Sequence, residues 1–160
     1  MSKRSRHRSL RSPAASSEAA RLRMQATGQR DTVPEMAIRS AVHRKGLRFR
    51  VDRAILPGLR LRADMVFVSA RVAVFVDGCF WHGCPLHGTW PIANARFWRE
   101  KIKANRRRDA QTNRALFQSR WTVIRVWEHE SIELAATRIF ETVRRAKEDI
   151  SAAGSGGPSD

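Results

Sequence analysis

The sequence has few acidic residues, only two cysteines and no long hydrophobic run. Lys and Arg number 31 against 15 Asp and Glu, which gives a formal charge of +16 over 160 residues. No apolar stretch approaches the roughly 18 residues of a membrane span, and no signal-peptide core is present. These absences argue against a membrane-spanning or exported protein and predict a cytoplasmic one. The two cysteines lie close together beside histidines, which in a reducing compartment favours metal thiolates over a disulfide.

The excess of positive charge indicates a polyanionic partner, and nucleic acid is the leading candidate. The length suits one domain with one core, and we find no internal repeat. Composition predicts a disordered basic arm over residues 1–20, a single domain over 21–150 and a flexible tail over 151–160. The arm is either a solvated tail without a target or a loose contact to phosphates.

The first regular elements are predicted between residues 32 and 58. Thr32 and Glu35 have the spacing of a capping box, and apolar residues follow at helical spacing, so a helix is expected from about 33 to 45. Gly46 closes it. Residues 47–51 alternate between apolar and basic side chains, which predicts a half-buried strand, and Pro57-Gly58 predicts a turn.

Two short apolar runs, residues 63–68 and 72–76, look like paired central strands of a buried sheet. Asp64 opens the first run and Asp77 follows the second. An antiparallel hairpin would therefore bring both carboxylates to the same end of the sheet.

The second half of the domain is predicted as helix, strand and helix. A long helix over about 93–119 carries a strongly basic face, including Lys101, that is expected to meet DNA phosphates, although a solvated charged helix is the alternative. A strand follows over 121–126. The last helix is amphipathic, with its apolar face formed by Leu134, Ala135, Ile139, Val143 and Ala146. The order of elements predicts an α/β fold in which helices flank a mixed central sheet.

The segment Asp77 to His87 concentrates candidate functional residues. Cys79, Cys84 and His87 have spacings that a tetrahedral zinc ion accepts, and a structural site needs a fourth ligand. His82 is close in sequence, but as a ligand it would leave only Gly83 between itself and Cys84, so the loop would have to fold very tightly around the ion. His129, directly after a predicted strand, is favoured instead. A catalytic zinc site and two free cysteines remain as alternatives.

Asp64 and Asp77 at the edge of a sheet, next to a basic surface, suit Mg²⁺ and phosphodiester chemistry. Hydrolysis also needs a base, and His82 has a suitable reference pKa once it is not a zinc ligand. Glu35 is a candidate to orient a metal-bound water, although its capping role alone explains its presence. A simpler interpretation of Asp64 is an edge carboxylate paired with Arg60 or Arg62.

Phe80 and Trp81 lie in the middle of the segment from Asp77 to His87. They either pack beneath the loop or act as a wedge between base pairs. The cost of unstacking is lowest at a mismatch, so a wedge senses a defect without reading every base.

These residues resemble the very-short-patch mismatch repair endonucleases, a zinc-containing branch of the restriction-endonuclease-like fold. The resemblance covers about Met24 to Phe140. It rests on five pieces: Ala26-Thr27-Gly28-Gln29-Arg30-Asp31-Thr32 with Glu35; Leu56-Pro57-Gly58 leading to Asp64; Asp77 to His87; Phe97-Trp98-Arg99-Glu100-Lys101-Ile102 with Asn105 and Asp109; and Trp121-Thr122-Val123 leading to Trp127-Glu128-His129.

The resemblance implies a bacterial, nucleoid-associated enzyme that cleaves one DNA strand beside a T:G mismatch left by deamination of 5-methylcytosine. It implies a catalytic Mg²⁺ held by Asp64 and the backbone carbonyl of Val76, with His82 activating water and Glu35 acting through water. Cys79, Cys84, His87 and His129 would hold a structural zinc. Asp77 stands where some family members have a histidine, and direct metal coordination is its expected role. The implied DNA contacts are Met24, Phe80, Trp81, Lys101 and Asn105.

Double-stranded DNA with a T:G mismatch is thus the expected partner, and other mismatch-repair proteins are further candidates. One nick per mismatch needs a single active site, so a monomer is expected. Two alternatives stay open: a noncatalytic zinc-stabilised DNA-binding protein, and a restriction or junction nuclease of the same fold.

Overall fold

The computed structural model describes residues 31–58, 62–88 and 92–154. The expected basic arm and Met24 lie outside these residues, as do Ala26 to Arg30 of the family motif. The described chain forms three helices and five strands: α1 (Val33–Arg44), β1 (Arg53–Ala54), β2 (Arg62–Ala63), β3 (Met65–Phe67), β4 (Val72–Asp77), α2 (Ala95–Gln118), β5 (Thr122–Trp127) and α3 (Ile132–Gly154). No helix in these ranges is long and apolar enough to cross a membrane.

Helix α1 begins where the capping pattern predicts. The hydroxyl of Thr32 accepts a hydrogen bond from the N–H of Glu35, which supplies an acceptor for one of the free N–H groups of the first turn. The chain leaves the helix at Gly46, whose φ of 84° suits glycine. Both ends of this helix are therefore set by local sequence.

The central sheet has the order β3-β4-β5. Strands β3 and β4 are antiparallel, with Met65 opposite Val74, while β4 and β5 are parallel, with Asp77 opposite Trp127. Strands β1 and β2 form a separate antiparallel pair. The sheet is therefore mixed, and the ends of β4 and β5 that carry Asp77 and Trp127 lie side by side.

Two cores lie on opposite faces of the sheet. Helices α1 and α3 cover one face, where fully buried side chains include Ile38, Val74, Val126 and Ile139. The other face packs against Leu116 of α2 and a smaller cluster around it. The predicted mixed α/β fold, with helices flanking the sheet, is confirmed.

The strand predicted over residues 47–51 is wrong. Only Arg50 pairs with the sheet, through two backbone hydrogen bonds to Val66 of 3.0 and 2.8 Å. The chain turns away at Asp52, whose φ is 47°, and β3 offers only three residues for pairing. The alternation still places Phe49 correctly, since its ring meets Phe67 edge-on at 5.6 Å.

Two smaller expectations also differ from the structure. Leu134 is 74% exposed rather than part of the apolar face of α3. Ala135, Ile139 and Val143 are buried at intervals of one helical turn, and Leu134 points about 100° away from that line. Helix α3 also continues to Gly154, four residues into the segment expected to be a flexible tail.

Candidate active site and metal site

Asp64 lies at a bend between β2 and β3, where the predicted strand is interrupted. Its N–H donates to the carbonyl of Val74 at 3.0 Å, and its Oδ2 accepts the N–H of Val76 at 2.7 Å. Burial raises the pKa of Asp64 to about 6, the Val76 hydrogen bond opposes that rise, and the charge of Glu35 adds to it. A carboxylate that ionises reluctantly beside other acids gains from a bound cation.

Glu35 faces the same site from α1. The side chain is buried, and its Oε2 accepts the N–H of Asp31 at 2.9 Å and an Nη2–H of Arg39 at 3.4 Å. Its charge helps to raise the pKa of Asp64, so the two carboxylates are electrostatic neighbours. Glu35 therefore belongs to the cap of α1, and its charge also acts on Asp64.

Asp77 is buried at the end of β4 and pairs with an arginine. Its Oδ1 and Oδ2 lie 2.6 and 2.8 Å from Nη1 of Arg125 on the neighbouring strand. Its Oδ1 is also 3.6 Å from Nδ1 of His82. The antiparallel register, with Met65 opposite Val74, places Asp64 and Asp77 toward the same end of the hairpin, and the charge of Asp77 makes a small contribution to the raised pKa of Asp64. Both Asp77 oxygens, however, already have a cationic partner in Arg125.

His82 is held by Asp109 of α2, whose Oδ2 lies 2.6 Å from Nδ1 of the imidazole. Burial lowers the pKa of His82, but the hydrogen bond that Nδ1–H donates to Asp109 and the charges of Asp77 and Asp109 outweigh burial and raise the pKa overall. Within the described residues, Nε2 has no hydrogen-bond partner. A histidine oriented by a carboxylate through one nitrogen can exchange a proton through the other.

The structure brings together the four residues favoured for the metal. One ligand atom each from Cys79, Cys84, His87 and His129 lies within 4.8 Å of all the others. Cys79 Sγ is 3.0 Å and Cys84 Sγ 3.8 Å from Nδ1 of His129. His82 points to Asp109 instead. The cluster could hold a metal ion, and two thiols with two imidazoles form a set that tetrahedral zinc accepts.

Local contacts shape the loop around this cluster. The N–H of Cys79 donates to Oε1 of Glu128 at 2.6 Å, which ties the loop to the end of β5. Gly83 has a φ of 63°, and a Cβ there would lie only 2.8 Å from Cγ2 of Ile102. Glycine therefore lets the loop turn closely against α2, between His82 and Cys84. Burial and the neighbouring Cys84 raise the pKa of Cys79 to about 12, so cation binding must displace its proton.

Phe80 and Trp81 are half-buried and pack with Trp98 of α2. The ring centroids of Phe80 and Trp81 lie 5.3 and 6.0 Å from that of Trp98. Asn105 donates to the carbonyl of Trp81 at 2.8 Å. Lys101 lies over the ring of Phe97, with Nζ 5.8 Å from the centroid. The aromatic pair thus belongs to a larger cluster that α2 supports.

Comparisons with known proteins identify the family. Residues 15–87 match the model of the DNA mismatch endonuclease Vsr. The chain is 42% identical over 122 residues to the type II nicking enzyme V.NaeI of Lentzea aerocolonigenes, covering 75% of this chain and 74% of that protein. It is 43% identical over 123 residues to V.XorIIP of Xanthomonas oryzae, covering 76% and 88%. The chain belongs to the Vsr family.

A further Vsr relative is the DNA mismatch endonuclease Vsr of Escherichia coli, which is 40% identical over 107 residues, 66% of each chain. The resemblance recognised from sequence motifs is thereby confirmed. The match to the Vsr model ends at His87, whereas the structure adds three residues from beyond it. Asp109 and Arg125 complete the surroundings of His82, and His129 completes the metal cluster.

Sequence reasoning missed two members of this Vsr-family site. Asp109 stands in one of the motifs shared with the family but received no role, although an acid within a basic helix is a usable signal. Arg125 was missed entirely, because a basic residue within a strand of a chain this rich in arginine is not conspicuous.

Proposed function

We propose that this Vsr-family chain is a Mg²⁺-dependent DNA endonuclease that nicks one strand beside a T:G mismatch, in very-short-patch repair. The observation that carries the proposal is the 2.6 Å contact of His82 with Asp109, in a site where Asp77 lies 3.6 Å from His82 and its charge acts on Asp64. The names of relatives support it, since one is a DNA mismatch endonuclease and others are nicking enzymes.

His82 acts as the general base. Asp109 holds Nδ1, so Nε2 is the nitrogen that accepts a proton from the attacking water. The water oxygen forms a bond to phosphorus as the bond from phosphorus to the leaving oxygen breaks, and the leaving oxygen takes up a proton. The negative charge of Asp109 stabilises the imidazolium that results.

Asp64, together with the carbonyl of Val76, forms the magnesium site, and Glu35 supports it through water. The fit rests on a buried carboxylate near other acids: burial raises the pKa of Asp64 to about 6, and the charges of Glu35 and Asp77 add to the rise. When bound, Mg²⁺ supplies Lewis-acid stabilisation of the charge that develops on the phosphate. Asp77 contributes charge to this site but stays paired with Arg125.

The metal cluster is a structural zinc site. Its four side chains come from the loop after β4 and the segment after β5, so a shared ion would join these segments. Zinc contributes roughly 10–16 kcal/mol in isolated fingers. It would therefore fix the loop that carries His82, Phe80 and Trp81.

The DNA surface combines the aromatic cluster with the basic face of α2. Phe80 and Trp81, with Trp98 behind them, form a wedge that inserts beside the mismatched pair. Met24 is expected to join this wedge. The half-buried Lys101 and the exposed cations of α2 contact phosphates, while Asn105 positions the loop through Trp81.

The test is a nicking assay on a T:G duplex and on the matched T:A duplex, with Mg²⁺. The wild-type protein is expected to nick one strand of the T:G duplex only. Asp64→Asn and His82→Gln should each reduce the rate by about 100-fold or more, or about 3 kcal/mol, since each removes a group acting on the reaction. Glu133→Gln, an exposed carboxylate paired with Arg44, is the control.

Other outcomes distinguish the alternatives. Equal cleavage of matched or branched DNA would indicate a restriction or junction nuclease. Tight binding of the T:G duplex by wild-type protein without any Mg²⁺-dependent nick would indicate a noncatalytic DNA-binding protein.

A further inference from the structure

Arg125 is the most fully engaged cation in the described part of the chain. It lies in the middle of β5, opposite Phe75 of β4, whose ring is 4.9 Å from the guanidinium carbon. Nη1 contacts both oxygens of Asp77, Nη2 lies 3.1 Å from Oδ1 of Asp109, and Nε donates to Asn113 at 3.1 Å. One guanidinium therefore links strands β4 and β5 to helix α2.

The two carboxylates that Arg125 holds are also the two that lie next to His82. Nδ1 of His82 is 2.6 Å from Asp109 and 3.6 Å from Asp77. Only one of them can take the short hydrogen bond from the single Nδ1–H. Their arrangement decides the direction in which the imidazole points.

Arg125 favours Asp109 in two ways. It engages both oxygens of Asp77, which leaves that carboxylate less available to Nδ1. It also binds Oδ1 of Asp109, which fixes the rotation of the carboxylate so that Oδ2 meets His82. The planar fork of arginine can serve these acceptors together, whereas a lysine ammonium is a single point.

We propose that Arg125 is a positioning residue that assigns His82 to Asp109 rather than Asp77 and so presents Nε2 to the reacting water. The catalytic consequence rests on the proposed role of His82 as the base. Arg125 itself touches neither water nor phosphate in this role. Its loss lets Asp77 compete for Nδ1 and frees the Asp109 carboxylate to rotate.

The experiment compares Arg125→Met, Arg125→Lys and the double variant Asp77→Asn/Arg125→Met with wild type. Single-turnover nicking of the T:G duplex is measured beside DNA affinity and melting temperature. Arg125→Met should slow nicking by up to about 100-fold, as small displacements of reacting groups can, with DNA affinity nearly unchanged. The nicking rate of Arg125→Lys should lie between those of Arg125→Met and wild type.

The double variant separates positioning from simple support of the fold. Asp77→Asn removes the competing carboxylate, so it should restore about tenfold of the rate lost in Arg125→Met. Arg138→Met is the matched control: its guanidinium binds the backbone carbonyl of Arg125 at 2.9 Å and pairs with Glu130, but touches neither Asp77 nor Asp109. It should nick at the wild-type rate.

A readout independent of nicking is the Nδ1–H proton resonance of neutral His82, followed by NMR with nitrogen-labelled imidazole and assigned with His82→Gln. Wild type should show one resonance shifted strongly downfield by the short hydrogen bond to Asp109, and Arg125→Met should move it upfield, because Asp77 then competes for the proton and the bond to Asp109 weakens. If wild type fails to nick T:G DNA but the resonance moves as expected, only the proposed function is wrong. The positioning role is overturned if Arg125→Met and Arg125→Lys keep the wild-type resonance. It is also overturned if their nicking falls only in proportion to unfolded protein and Asp77→Asn restores none of it.

Discussion

Cys79 Sγ lies 3.0 Å from Nδ1 of His129, across 50 positions of sequence. The contact joins the loop after β4 to the segment after β5, and the two strands are parallel neighbours. The segment from Asp77 to His87 is therefore joined, through Cys79, to His129, which lies outside it. This leaves His82, which lies inside the loop, available to Asp109.

Replacing His129 should remove the metal without touching the base. His129→Ala is expected to lose bound zinc and several kcal/mol of stability, since a structural zinc contributes roughly 10–16 kcal/mol in isolated fingers. His82→Ala should keep both and lose nicking. Metal analysis and thermal unfolding of the purified variants give the answer, with the exposed His43→Ala as control. Zinc retained in His129→Ala but lost in His82→Ala would reverse the assignment.

The nicking rate should rise with pH over the acidic range. A base must be neutral and a metal-binding carboxylate ionised, and the pKa of both groups is raised, to about 6 for Asp64 and above its ordinary 6.5 for His82. Asp109→Asn removes the hydrogen bond to a carboxylate and one of the two charges that raise the pKa of His82, so the part of the acidic limb that His82 controls should move to lower pH while the maximal rate falls. Rates measured between about pH 5 and 9 test this. If the acidic side of the pH–rate profile is the same in Asp109→Asn and wild type, the Asp109–His82 pair does not act in the rate-limiting step.

The aromatic cluster should govern recognition of the mismatch. Trp81→Ala is expected to weaken binding of the T:G duplex about 10- to 100-fold, since stacking of a base on an aromatic ring is worth about 1–3 kcal/mol. Binding to matched DNA should change much less. Phe117→Ala, an exposed aromatic in the last turn of α2, is the control. Equal losses on both duplexes would contradict the wedge.

Any side chain at position 83 should lower the stability of the protein. Gly83→Ala places a Cβ at positive φ and 2.8 Å from Ile102, whereas at Gly46 a Cβ meets nothing within 4 Å. Gly46→Ala should cost about 1–2 kcal/mol from backbone strain alone. Gly83→Ala should cost about 1–3 kcal/mol more through overpacking. Urea unfolding of the metal-loaded proteins measures the difference in the free energy of unfolding. If both variants lose the same free energy, α2 moves to accommodate the added Cβ.

Much of the fold follows from short-range signals in the sequence. The cap at Thr32 and the glycine at 46 delimit α1, and two short, mostly apolar runs predict the hairpin that brings Asp64 and Asp77 to one end of the sheet. The spacing of Cys79, Cys84 and His87 predicts the metal loop. The strand predicted over 47–51 is wrong because pairing depends on β3, a partner too short to extend the ladder.

The sequence by itself determined the helices, the hairpin, the basic surface and the grouping of Cys79, Cys84 and His87, because these depend on residues within a turn or two of one another. The tertiary structure alone decided that Asp109 orients His82 and that Arg125 holds both Asp77 and Asp109. These contacts join β4, β5 and α2, and their geometry depends on the strand register and on how α2 packs across the sheet. The spacing of residues along the chain does not give the distances between side chains on different elements.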